Sequence, residues 1–115
     1  MLMNALTEDF TYKRLVFVLG ILADKDVEKM VSFLAPHADY VVVTRSHNVR
    51  ACEPAVLKDI IKKSGYEKDV FIENSIPRAV EHAISLVDTS DFICITGSLF
   101  TVGEARSYLL ARSRI

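Results

Sequence analysis

Glycine, proline and cysteine are scarce in this chain, which contains four, three and two of them among its 115 residues. With so few glycines and prolines the sequence has no low-complexity tract and no linker, and its length is that of one domain, residues 1–115. Cys52 lies in a predicted loop and Cys94 in a predicted buried strand, which indicates neither a disulfide nor a metal cluster. We therefore expect two reduced thiols.

Charge of one sign is not in excess either, since 14 basic residues stand against 15 acidic ones and the net charge is -1. That balance supplies no basic field for nucleic acid and no polybasic patch for anionic lipid. No apolar run approaches the roughly 20 residues of a membrane-spanning helix, and residues 1–10 lack the charged start and apolar core of a signal peptide. We expect a cytoplasmic protein whose partners are small molecules or protein, with no nucleic acid and no membrane.

The sequence also lacks recognisable metal-binding, phosphate-binding and catalytic motifs. His37, His47 and His82 are scattered without the spacing of metal ligands. No G-x-x-x-x-G-K-[ST] occurs, and the four glycines never form the G-x-G-x-x-G of a dinucleotide fold. No nucleophile, base and orienting residue stand at a recognisable spacing, so the sequence predicts no catalytic residue and no metal site of its own.

Strand and helix patterns, by contrast, alternate clearly along the chain, half of whose residues are hydrophobic. Apolar runs predict strands at Leu15–Leu19, Tyr40–Val43, Val70–Ile72 and Asp91–Ile95; amphipathic spacing predicts helices at Asp24–Pro36, from near Glu53 to Gly65, from Asn74 or Ser75 to Val87, and at about Val102 to Arg112. The alternation predicts an α/β fold, a Rossmann-like three-layer sandwich with a mainly parallel sheet and helices on both faces. We expect the short third strand near an edge and the fourth in the centre, covered on both faces.

The first ten residues predict only the tail of a helix, since Leu2, Ala5 and Leu6 recur at helical spacing before the polar connection Thr11–Arg14. A domain that starts on half a helix lacks its first strand and helix. We therefore expect this chain to be a fragment of a larger protein.

Two glycine-containing loops follow predicted buried strands. In the stretch Thr96 to Arg106, Gly97 lets the backbone approach a ligand closely, while Ser98 can either cap the following helix or hydrogen-bond to that ligand. The loop Gly20 to Asp26 follows the first strand in the same way. Ligands of open parallel sheets bind beyond the carboxyl ends of the strands, so the two loops predict one shared site.

Charged residues in the first of these loops supply the polar groups of that site. Lys25, which we place in the first turn of a helix against the helix dipole, offers three donors to a carboxylate or phosphate, although an exposed lysine is usually only solvated. Asp24 and Asp26 can receive an ammonium group or orient Lys25, or can simply cap the helix. Together with Ser98 and the N–H groups around Gly97, Lys25 would suit the carboxylate of an amino acid.

Three motifs carry a resemblance to a known family. They read V-F-V-L-G-I-L-A-D-K-D near the start, T-R-S-H-N-V-R-A in the middle and T-G-S-L-F-T-V-G-E-A-R near the end. In this order, over about Tyr12 to Arg112, the chain resembles the C-terminal domain of folylpolyglutamate synthase, often also a dihydrofolate synthase, in the Mur ligase superfamily. The middle motif departs from the family, because Val49 precedes Arg50 where proline is usual.

The resemblance implies an ATP-dependent ligase that activates a carboxylate of folate or dihydropteroate as an acyl phosphate, which the amine of L-glutamate then attacks. In such enzymes the N-terminal domain carries the P-loop and most magnesium and folate contacts, and the C-terminal domain closes over ATP and helps to hold the amino acid. By the resemblance, Lys25 pairs with a glutamate carboxylate, Ser98 hydrogen-bonds to it and Asp24 is a lesser candidate, while Gly20, Asp26 and Gly97 support the loops.

The family's D-G-A-H-N-P motif normally lies just before the point where this chain begins, which agrees with the half-helix at its start. We therefore expect the isolated chain to ligate nothing. The alternative functions are a stand-alone, non-catalytic small-molecule-binding or receiver-like module and a structural remnant that binds nothing. A receiver would need a phosphoacceptor aspartate at the end of its third strand, where this chain has Glu73 and Asn74.

Overall fold

Four parallel strands form one sheet in the computed structural model, which describes residues 13–112. The strands are β1 (Leu15–Leu19), β2 (Tyr40–Val43), β3 (Val70–Ile72) and β4 (Phe92–Thr96). They lie in the order β3-β2-β1-β4, and every neighbouring pair is parallel. The parallel sheet and the edge position of β3 are therefore confirmed within the described range, whereas the helix tail predicted at residues 1–10 lies outside it.

Two helices cover each face of this sheet. The helices are α1 (Val27–Leu34), followed by a 3-10 turn (Ala35–His37), α2 (Pro54–Lys63), α3 (Ile76–Leu86) and α4 (Leu99–Arg112). Side chains alternate along β1, so that Leu15, Phe17 and Leu19 join the core under α1 and α2. Val16 and Val18 join the core under α3, against which α4 packs. The predicted three-layer α/β sandwich is confirmed.

β4 does not have the central position that its apolar run predicts. Within the described part of the chain it is an outermost strand, paired only with β1, and only Cys94 of its five residues is buried. Its apolar side chains are explained by the cores on both faces, since Phe92 packs beside α1 and α2 and Ile95 beside α3 and α4. An apolar run indicates that both faces of a strand are covered, but it does not indicate how many strands lie beside it. The predicted central position of β4 is therefore wrong for the described sheet.

α4 begins at Leu99, three residues before the predicted start at Val102. Its first turn follows Ser98 directly, because the N–H of Thr101 donates to the Ser98 hydroxyl at 3.1 Å and the N–H of Val102 donates to the Ser98 carbonyl at 3.1 Å. Apolar spacing missed this start, since Leu99 and Phe100 are exposed and do not face the core.

Both cysteines are free and buried, and burial raises the pKa of each thiol, so Cys52 and Cys94 are neutral packing groups at pH 7. Across residues 13–112 no helix is both long and apolar enough to span a bilayer. The same residues contain no group of three or more His, Cys, Asp or Glu side chains arranged to hold a metal ion.

Candidate functional site

The strand order reverses between β1 and β4, because the chain passes from β1 to β2 and β3 on one side and returns to β4 on the other. Leu19 and Thr96 are paired in register at the carboxyl ends of these two strands. The loops that begin with Gly20 and Gly97 therefore leave the sheet side by side, as predicted. Open parallel sheets bind their ligands at this kind of reversal.

Gly20 and Gly97 lie so close together that a side chain on Gly97 would collide with the backbone of Gly20. Gly97 has a φ of +115°, and a Cβ built on it would lie 2.5 Å from the carbonyl oxygen of Gly20. A Cβ on Gly20 would lie 2.6 Å from the hydroxyl oxygen of Thr101. Glycine is therefore required at position 97 by conformation and contact together, and at position 20 by contact.

Thr101 joins the two loops and is not among the site residues that the sequence predicts. Its buried hydroxyl donates to the carbonyl of Gly20 at 2.8 Å and accepts from the hydroxyl of Ser98 at 3.0 Å. The pattern that signals it is a threonine three residues after a capping serine, where its side chain meets the helix start. Leu99, Phe100 and Val102 around it are exposed, so the spacing of apolar residues does not predict that Thr101 is buried.

We expect Thr101→Val to lower the free energy of unfolding by about 1 to 3 kcal/mol, because the buried carbonyl of Gly20 loses the hydroxyl that donates to it. Thr44 supplies the matched control, since it is equally buried and its hydroxyl has no hydrogen-bond partner within residues 13–112. Thr44→Val should leave stability unchanged or raise it. Urea denaturation measures both, and equal effects would contradict the bridging role of Thr101.

Ser98 acts in this structure as the N-cap of α4. Its hydroxyl accepts from the N–H of Thr101 and donates its own proton to the Thr101 hydroxyl, and the residue is partly exposed. A hydroxyl has one proton and two lone pairs, so capping leaves one lone pair of Ser98 available to a donor. The capping half of the prediction is confirmed, and contact with glutamate stays a prediction.

The acidic residues beside Lys25 take separate roles. Asp26 caps α1 by accepting from the N–H of Lys29 at 3.2 Å, which confirms its capping role. Asp24 instead forms an ion pair with Arg50 at 2.8 Å, a partner 26 residues away that spacing did not indicate. Lys25 itself is exposed and lies before the N-cap, so its predicted place in the first helical turn was wrong. Its ammonium group has no ion-pair partner in the described part of the chain.

The middle motif, residues 44–51, forms a loop that is hydrogen-bonded to the Gly20 loop. The N–H of Cys52 donates to the carbonyl of Ile21 at 2.8 Å, and the N–H of Ala23 donates to the carbonyl of Arg50 at 2.7 Å. Val49, at the position that departs from the family pattern, is 94% exposed and takes no part in the core. The structure therefore brings all three motifs together at the carboxyl edge of the sheet.

His47 connects this middle loop to α4. The two carboxylate oxygens of Glu104 accept from the backbone N–H of His47 at 2.7 Å and contact its ring nitrogen Nδ1 at 2.8 Å. The neighbouring Arg45 forms an ion pair with Glu53 at the start of α2. A cavity of about 350 Å³ at the carboxyl edge is lined by Arg45, Ser46, His47, Glu53, Asn74 and Ser75.

A cavity of about 420 Å³ lies at the opposite edge, beside Pro36, Gly65 and Tyr66. The phenol of Tyr66 donates to the carbonyl of Ala38 at 3.0 Å. Burial raises the pKa of Tyr66 to about 12, so the phenol stays neutral at pH 7. No glycine loop at a strand reversal opens there. We therefore assign the site to the carboxyl edge.

Comparison with known proteins adds an independent finding. Residues 1–99 match the family model of the Mur ligase, glutamate ligase domain. The chain is 31% identical to the dihydrofolate synthetase of Saccharomyces cerevisiae over 113 residues, which are 90% of this chain and 26% of that protein. It is 35% identical to the UDP-N-acetylmuramoyl-L-alanyl-D-glutamate--2,6-diaminopimelate ligase of Prochlorococcus marinus over 102 residues, 84% of this chain and 20% of that protein.

Among solved structures, Mycobacterium tuberculosis folylpolyglutamate synthase in complex with ADP and AMPPCP is similar, with a TM-score of 0.85 and 34% identity. The match covers 92% of this chain and 26% of that one. The chain thus spans about a quarter of the length of the yeast and mycobacterial proteins named here.

Proposed function

The chain belongs to the family of Mur ligase glutamate ligase domains, and on that premise we propose that it is the C-terminal, amino-acid-binding domain of an ATP-dependent ligase. The ligase adds L-glutamate to folate or dihydropteroate. A carboxylate of the folate substrate becomes an acyl phosphate, and the amine of glutamate displaces phosphate from it to give an amide. The similarity to dihydrofolate and folylpolyglutamate synthases supports this choice of substrates.

The single observation that carries the proposal is the meeting of the two glycine loops at the strand reversal. Lys25 comes from one loop and Ser98 from the other, and the two offer a cation and a hydroxyl at the same edge. We assign both to a carboxylate of glutamate. Asp24 has a lesser role because its carboxylate already pairs with Arg50.

ATP and Mg²⁺ are the cosubstrate and ion that such a ligase requires, and residues 13–112 contain no group of three or more His, Cys, Asp or Glu side chains that could hold the ion without help from other ligands. Solved family members were studied with ADP, AMPPCP or AMPPNP and, in one case, manganese. We place the phosphate and metal contacts, and the contacts with folate, in an N-terminal domain of the full-length enzyme. The isolated chain should therefore ligate nothing.

A second candidate differs only in its substrates. The 35% identity to the muramyl ligase of Prochlorococcus marinus is compatible with a domain that holds diaminopimelate for addition to a UDP-linked muramyl peptide. The fold and the site would be the same. The amino acid and the acceptor decide between the two.

The test is an assay of ADP release by the full-length protein, purified from the complete reading frame. We expect ADP release to require L-glutamate together with dihydropteroate or a reduced folate, and the product to gain one glutamate by mass spectrometry. Release that requires diaminopimelate and the UDP-linked muramyl peptide would establish the second candidate instead. No release with either pair would contradict the ligase assignment.

A further inference from the structure

We propose that His47 is the general base that removes a proton from the ammonium group of the incoming amino acid, with Glu104 as the residue that positions it. This inference deepens the proposed function and rests on it. The sequence alone predicts no side chain for proton transfer.

Two contacts with one carboxylate fix the imidazole of His47. Glu104 accepts from the backbone N–H of His47 at 2.7 Å with one oxygen and lies 2.8 Å from Nδ1 with the other. A carboxylate only accepts hydrogen bonds, so Nδ1 carries the ring proton in the neutral imidazole. Nε2 is then left with its lone pair, and it has no hydrogen-bond partner within residues 13–112. The arrangement holds an acceptor nitrogen in one orientation.

The position of His47 joins it to the amino-acid site. Its loop is hydrogen-bonded to the loop of Lys25 through the pairs Cys52–Ile21 and Ala23–Arg50, while its side chain contacts the helix that Ser98 begins. The imidazole is 89% exposed although the residue is held at two points.

Few other charges face this imidazole. Glu104 contacts it from α4, and the cavity beside it contains Arg45, Glu53 and the polar Asn74 and Ser75. Arg45 and Glu53 form an ion pair with each other, so their charges offset. Among the described residues, Glu104 is therefore the charged group that contacts the ring.

The chemistry requires a base because an ammonium nitrogen has no lone pair with which to attack. Nε2 of His47 takes one proton, and the freed lone pair forms the C–N bond to the acyl carbon. The C–O bond to phosphate breaks, and its electron pair leaves on the phosphate oxygen. A second nitrogen-bound proton passes to the phosphate, the third stays on the amide, and the imidazolium returns its proton to water.

The test uses the full-length ligase with His47→Gln, a neutral side chain that can still donate to Glu104. We expect kcat to fall about 100-fold or more, which is the lower range of general-base effects, while KM for the amino acid stays near the wild-type value. Trapping of the acyl phosphate in the absence of amino acid should proceed at the wild-type rate. Glu104→Gln should show the same pattern with a smaller loss, and His37→Gln, at the opposite edge, should show none.

Hydroxylamine separates proton transfer from a structural role, because it is unprotonated at neutral pH and attacks acyl phosphates without a base. With hydroxylamine in place of the amino acid, His47→Gln and wild type should form hydroxamate equally fast. A kcat unchanged by His47→Gln, or a rise in KM alone, would overturn the proposal, as would an equal loss with hydroxylamine. An inactive wild-type enzyme would instead contradict the proposed function itself.

Discussion

Gly97→Ala should lower the free energy of unfolding by about 2 to 6 kcal/mol, combining roughly 1 to 3 for a strained positive φ with roughly 1 to 3 for overpacking. The φ of Gly97 is +115°, and the added Cβ would lie 2.5 Å from the carbonyl oxygen of Gly20. That oxygen belongs to backbone and cannot move aside as a flexible side chain would. Since domains are stable by about 5 to 15 kcal/mol, the change removes a large share of the stability. Urea denaturation followed by circular dichroism measures it.

Three other glycines separate the two causes. Gly65 has a φ of +99° with no atom near its missing Cβ, so Gly65→Ala reports backbone strain alone. Gly20 has no positive φ, and its Cβ would meet the hydroxyl of Thr101, so Gly20→Ala reports contact alone. Gly103 lies in α4 in open space, and alanine there should stabilise by about 0.5 to 1 kcal/mol. If Gly97→Ala costs no more than Gly65→Ala, the loops are not in contact.

The sequence predicts the layers of this fold well because each element has a local signal. β1 is an unbroken apolar run and is fully buried between two strands, and Ser75 and Gly65 mark a helix start and end as expected. β4 has the same kind of run but is an outermost strand of the described sheet. Apolar side chains indicate that both faces of a strand are buried. Pairing with neighbouring strands depends on backbone N–H and C=O groups, which every residue except proline has, so the side-chain pattern does not predict it.

Part of the candidate site was also predictable, because the two glycine loops follow strands that have a clear local signal. Gly20 and Gly97 follow buried strands, so their placement at one edge comes from the parallel topology alone. The pair Asp24–Arg50 and the contact of His47 with Glu104 join residues 26 and 57 positions apart. No spacing rule connects such residues, because their proximity is created when two loops and helix α4 come together in the fold.

Lys25→Ala and Ser98→Ala should each raise KM for glutamate in the full-length ligase and lower kcat/KM by roughly 10- to 150-fold. Loss of one charge-assisted hydrogen bond to a carboxylate costs about 1.5 to 3 kcal/mol, which is that range of ratios. Lys25 is exposed without an ion-pair partner among the residues described, so its removal breaks no visible internal contact. Steady-state kinetics with glutamate varied at saturating ATP and folate measure the effect.

Matched controls are needed because Ser98 also caps α4, and loss of a cap costs about 0.5 to 2 kcal/mol of stability. Ser64 lies at the opposite edge of the sheet and donates its hydroxyl to the carbonyl of Ile61 at 2.6 Å, so Ser64→Ala gives a loss of stability of similar size, about 0.5 to 1.5 kcal/mol, away from the two glycine loops and from the cavity beside His47. Lys29→Ala removes an exposed cation from α1, the helix that follows Lys25. Both controls should keep the wild-type KM for glutamate. If Ser64→Ala raises KM as much as Ser98→Ala, Ser98 acts through stability alone, and wild-type kinetics in Lys25→Ala would remove the lysine from the glutamate site.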